Sequence, residues 1–135
     1  MDNELSIETR IGVFKKTNNY IGEVTFMGTN DATIEEAKEF ISKMNEIMGF
    51  KPYYLVNFLT NDLGSFPPEI WNYLGTDKDH NLYIEGSVTV VENMSYRMHV
   101  NEFFKKYKPS YPKHIVDTKQ QAFDWIEKIK SFISQ

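Results

Sequence analysis

Cysteine is absent from the 135-residue chain. Its absence excludes a thiol nucleophile, a thiolate metal site and a disulfide framework. Long apolar runs are missing too, since none approaches the ~18 residues of a membrane span. The first nine residues, MDNELSIET, lack the basic start and apolar centre of a signal peptide. The expectation is a soluble protein of the cytoplasm. Glycines are few and stand singly at turns, so no GxGxxG, P-loop or GxSxG motif can be written. No cofactor is implied. Histidine is scarce, and His80, His99 and His114 fall in a loop, a helix and a strand. No HExxH spacing is present. DKDHN places Asp77, Asp79 and Asn81 at alternate positions, as a calcium loop would. The glycine and glutamate such a loop needs are replaced by Leu82 and Val88, so no metal site is read there. Without a thiol, a metal centre or a triad, the sequence points away from an enzyme.

What the chain does have is a core. Apolar residues make up 41% and aromatics 15%. A chain of this length buries roughly two-thirds of its unfolded surface as one domain. The net charge is −4, and it is divided: residues 1–92 carry −8 and residues 93–135 carry +4. Such asymmetry marks either a docking face or surface helices of different sign. FFKKYK, residues 103–108, mixes aromatics and lysines. Phe103 and Tyr107 fit a helix's core stripe, and lysines suit its last turn. In an acidic protein this does not amount to a nucleic-acid surface.

Periodicity places the elements. Glu8–Lys16 and Tyr20–Met27 read as strands, the first with Ile11 and Val13 on one face, joined through Asn18 and Asn19, which tolerate positive φ. A break in alternation after Ile21 points to a bulge or register change. Thr33 and Glu36 form a capping box. Ile34, Ala37, Ile41, Met44 and Met48 follow at helical spacing, and Gly49 closes the helix. Tyr53–Leu59 is nearly continuous apolar sequence, as in a parallel strand buried on both faces. After a polar elbow, Ile70, Trp71 and Leu74 mark a short helix, Pro68–Leu74, ending near Gly75. Phe66 precedes Pro67, and Pro67 precedes Pro68. A residue before proline is pushed from the α region, so the first helical residue is Pro68 and Pro67 takes the cap position. Tyr83–Val91 is β-branched and strand-like. A third helix carries Tyr96, Val100, Phe103 and Tyr107 on one stripe, with Phe104 beside it. KHIVD is a short strand. The last helix opens with a Thr118/Gln121 capping box and buries Ala122, Ile126, Ile129 and Ile133. The order β-β-α-β-α-β-α-β-α predicts one layered α/β domain, 1–135, with a mainly parallel sheet and an N-terminal antiparallel hairpin. Right-handed crossovers place helices on the sheet's faces.

The opening hairpin, YYLVNFLTNDLGSFPPE and the segment from GSVTVV to DWI carry a resemblance that spans residues 9–132. The chain resembles the STAS domain of bacterial anti-sigma-factor antagonists (SpoIIAA-like), and is similar to small bacterial proteins of the STAS/SEC14-like group. The resemblance implies a non-enzymatic regulatory module that binds a protein partner. It also implies a serine, at the start of the helix after the third strand, phosphorylated to block docking. The closest equivalents here are Asp62 and Ser65. They depart from the family pattern, in which aspartate and serine are adjacent, because Leu63 and Gly64 intervene. The prolines also leave Ser65 outside the helix, where a phosphate gains less from free N–H groups. Asn61, Asp62, Gly64 and Ser65 equally suit an ordinary turn. The interaction surface read from the sequence is Thr60–Glu69, with Thr60, Asn61, Asp62, Ser65 and Glu69 as its residues. Two alternatives stand beside it. One is a carrier or sensor of a small apolar ligand or lipid, with Trp71, Tyr73, Tyr96 and Phe104 walling the pocket. The other is a structural homodimer without a switch.

Overall fold

The computed structural model describes residues 6–27, 29–59, 66–76, 82–91, 94–106 and 111–133. Six strands join in one sheet in chain order: β1 (Ser6–Thr9), β2 (Gly12–Asn18), β3 (Ile21–Phe26), β4 (Tyr53–Leu59), β5 (Ile84–Val90) and β6 (Lys113–Val116). The β1–β2 and β2–β3 pairs are antiparallel, and β3 to β6 run parallel. Among the described residues four helices, α1 (Ile34–Ile47), α2 (Pro68–Thr76), α3 (Met94–Lys106) and α4 (Lys119–Ile133), follow β3, β4, β5 and β6. The layered α/β fold with a mainly parallel sheet is as the sequence predicts.

The start of the chain differs from the sequence reading. The expected strand Glu8–Lys16 is two strands, broken by a turn at Arg10 and Ile11. The Ile11 N–H donates to Thr9 Oγ1 (3.3 Å), and the Thr9 hydroxyl donates to the Gly12 carbonyl (3.2 Å). These local bonds compete with the ladder. Gly12 permits the close approach of α1 to this strand, because a Cβ there would lie 3.1 Å from both the Phe40 ring and the Thr25 carbonyl. The turn buries Ile11 with Phe14, while Val13 pairs with Thr25 on the opposite face. Ile11 and Val13 therefore do not share a face. The predicted hairpin turn forms around Asn18, whose Oδ1 accepts from the Tyr20 N–H (2.9 Å). The irregularity lies between Lys16 and Asn18.

Arg10 projects from its turn onto the entry to α1. It donates to Asp31 Oδ1 (2.6 Å) and to both Glu36 oxygens (2.6 and 2.9 Å). Glu36 also completes the capping box with Thr33. Its bonds to Arg10 and the Thr33 N–H hold the Glu36 carboxyl below its usual value. Hydrogen bonds from Thr29 and Arg10 do the same for Asp31. Folded carboxyl values below the unfolded ones stabilise the fold above the ordinary carboxylate range, and that contribution fades as pH falls through the depressed values. The melting difference between wild type and Arg10→Ala is therefore expected to be constant near neutrality and to shrink below about pH 4. A difference unchanged down to pH 2 to 3 would show that the network contributes no such linkage. Because all three groups face solvent, added salt should also narrow the gap.

Two apolar clusters sit on the two faces. One joins α1 and α2 to the sheet through Phe14, Val24, Phe40, Met44, Tyr53, Leu55 and Ile70. The other packs Ala122 and Ile126 of α4 on Ile21, Tyr54, Val56, Val88 and Val90. Successive parallel strands step in one direction, so right-handed crossovers put their helices on one face. The helix after the last strand returns across the other. Strand β4 is consequently covered on both sides, which is why its apolar run does not alternate.

Helix α1 ends in a Schellman arrangement. The Phe50 N–H donates to the Asn45 carbonyl (2.9 Å) and the Gly49 N–H to the Glu46 carbonyl (3.0 Å). Gly49 lies at φ +77°, and Phe50 follows at φ +54°. The buried Asn45 accepts a hydrogen bond from the Tyr53 hydroxyl (2.9 Å), tying the helix end to β4.

Candidate functional site

The C-terminal ends of parallel strands are where open α/β sheets present ligands and partners. Strand β4 runs to that rim, and α2 leaves it. Thr60, Asn61, Asp62 and Ser65 lie between them, outside the described residues. The chain re-enters at Phe66, which is buried beneath the rim. Its ring lies 4.9 Å from Trp71 and 6.2 Å from Phe26, and Phe26 in turn meets Phe40 at 5.8 Å. This aromatic chain fixes the start of α2 to β3 and α1. The Pro67 carbonyl accepts from the Ile70 N–H (3.0 Å) and the Trp71 N–H (3.4 Å). Helix α2 therefore begins at Pro68 with Pro67 as its cap, as the double proline requires. It continues to Thr76, slightly beyond the expected end.

Of the residues singled out from the sequence, Glu69 is exposed in the first turn of α2. Trp71 is buried against Phe66, and Tyr73 packs partly buried against the same core. Tyr96 and Phe104 belong to α3, but their side chains lie outside those described. Trp71 and Tyr73 thus share one cluster.

Below the rim the apolar face turns polar. Asn57 on β4 donates through Nδ2 to Ser87 Oγ on β5 at 2.7 Å. Thr89, opposite Asn57 in the register, is almost fully buried. Sequence reasoning passed over all three. The available signal was a polar residue interrupting each apolar strand, YYLVNFL and GSVTV. Deeper on this face, burial pushes the Tyr53 and Tyr111 hydroxyls well above the usual phenol range. Both remain neutral phenols at physiological pH.

Among the described residues, no three metal-ligating side chains come together and no helix is long and apolar enough to cross a membrane. Family models, curated proteins and solved structures give no match to this chain. The fold defines the class, an α/β domain on a six-stranded mixed sheet with helices on both faces.

Proposed function

We propose that the protein is a non-enzymatic regulatory module of the STAS-like type. It binds a protein partner through the rim formed by Thr60–Glu69 and the start of α2. The observation supporting this reading is the anchoring of the rim. Phe66 and Trp71 bury the base of α2 in the core, while Glu69 in its first turn stays exposed. A surface held by a rigid base and displaying a charged residue suits recognition better than a mobile tail would. Phosphorylation of Ser65 would add close to two negative charges in a segment that already carries Asp62 and Glu69, disfavouring an acidic or apolar partner face.

The test is affinity capture from a native cell extract with wild type, Ser65→Ala, Ser65→Asp and Glu69→Lys, with mass spectrometry of the bait. Expected is one specific partner held by wild type and Ser65→Ala, released by Ser65→Asp and weakened by Glu69→Lys. Equal capture by all four baits, with Ser65 never modified, would end the rim reading.

A further inference from the structure

The sheet's last strand leaves a groove that the rim does not use. Helix α4 lowers Ala122 and Ile126 onto the sheet. Its neighbouring stripe, Gln121, Asp124, Trp125 and Lys128, runs alongside β6, beyond which no strand follows among the described residues. Between them lies an open groove of about 370 Å3. That is at the small end of the range for small-molecule sites.

The chemistry of the groove follows from which groups are already engaged. Arg97 reaches in from α3, donating to Asp117 Oδ1 (2.5 Å) and to the Ile115 carbonyl (3.1 Å). The Asp117 charge is therefore matched. Gln121 Oε1 accepts from the Asp117 and Thr118 N–H groups (2.9 and 3.1 Å). Those two donors fix the amide oxygen, so the remaining group of Gln121 is its NH2 donor. Lys128 takes part in no ion pair among the described residues, even though Asp124 stands four residues before it. His114 and Trp125 form an offset stack, 5.6 Å between centroids and 14° between planes. The uncommitted groups are mainly donors beside a flat aromatic wall.

We propose that this groove binds a small planar ring carrying a carboxylate or phosphate. The ring would lie against the His114–Trp125 wall, and the oxyanion would take Lys128 and the Gln121 amide. Asp124 stands at the edge of the groove, where its side chain accepts from Gln120 (3.0 Å), and it opposes such a ligand. The proposal is independent of the partner surface at the end of β4.

The test is heteronuclear NMR titration of the whole chain, following the Trp125 indole N–H and the Gln121 amide. The probes are adenosine 5′-monophosphate, 4-hydroxybenzoate, adenosine and inorganic phosphate. At least one ring-bearing anion is expected to saturate these signals, with adenosine and phosphate each about tenfold weaker, a difference of about 1.4 kcal/mol. Lys128→Ala should weaken the anion and leave adenosine unchanged, and Asp124→Asn should tighten the anion severalfold. Both positions are exposed, so the fold survives either change, and spectral dispersion verifies it. No saturable shift up to about 10 mM of either ring anion, beyond the weak end of specific binding, would overturn the proposal. So would weaker anion binding in Asp124→Asn, since Asp124 would then be holding the ligand rather than opposing its charge.

Discussion

Gly22→Ala is expected to destabilise the protein by about 3 kcal/mol, the upper part of the range for overpacking a filled core. Gly22 sits in β3 beneath the Phe14 ring. A Cβ there would lie 2.4 Å from Phe14 Cζ and 2.5 Å from Cε1. The register pairs Phe14 with Val24, so the ring leans diagonally across the glycine. It has no room to retreat, because Phe14 is fully buried and meets Tyr53 edge-on at 6.4 Å. Alanine would otherwise stabilise by about 0.4–1 kcal/mol through the unfolded chain. The clash outweighs that gain. Urea unfolding of wild type, Gly22→Ala, Phe14→Leu and the double variant tests the argument. The double variant should be more stable than the sum of the single effects by at least about 1 kcal/mol, because Phe14→Leu removes the ring that the alanine Cβ meets. A Gly22→Ala stability within about 0.5 kcal/mol of wild type, the usual range of harmless substitutions, would show that the ring yields freely.

Phe66→Ala carries the second large effect, about 3–5 kcal/mol for removing a buried aromatic ring. Phe66 is the middle link between Phe26 and Trp71, so its loss leaves a cavity and separates α2 from β3. Phe66→Leu keeps most of the volume and should cost about 1.5 kcal/mol or less. The pair also separates stability from recognition. Phe66→Leu keeps the base of the rim and should keep the partner, whereas Phe66→Ala should lose it even at temperatures where the fold persists. If Phe66→Ala unfolds at the same denaturant concentration as wild type, Phe66 does not anchor the rim.

Much of the fold could be read directly because the relevant physics is local. The Thr33/Glu36 box closes with both of its bonds. The second box closes likewise, with the Gln121 N–H on Thr118 Oγ1 (3.1 Å) and the Thr118 N–H on Gln121 Oε1 (3.1 Å). Pro67 caps α2 because φ restriction acts on neighbouring residues alone. The apolar β4 lies between two parallel neighbours, as its missing alternation indicates. Phe40 is different. It is fully buried in α1 but escaped a stripe read at Ala37, Ile41 and Met44. Its place depends on Gly12 and Phe26, which come from another part of the chain.

The sequence by itself determined where α1, α2 and α4 start, where most of the strands lie, and that a parallel sheet follows an antiparallel start. Each of those rests on spacing and dihedral preference within a few residues. Only the tertiary structure set Arg10 against the entry to α1, because its partners lie 21 and 26 residues away. It alone set Asn57 against Ser87, 30 residues apart, beneath the rim. It alone stacked His114 on Trp125 across the β6–α4 connection. Contacts of that kind are set by the packing of whole elements, and residue spacing along one element carries no trace of them.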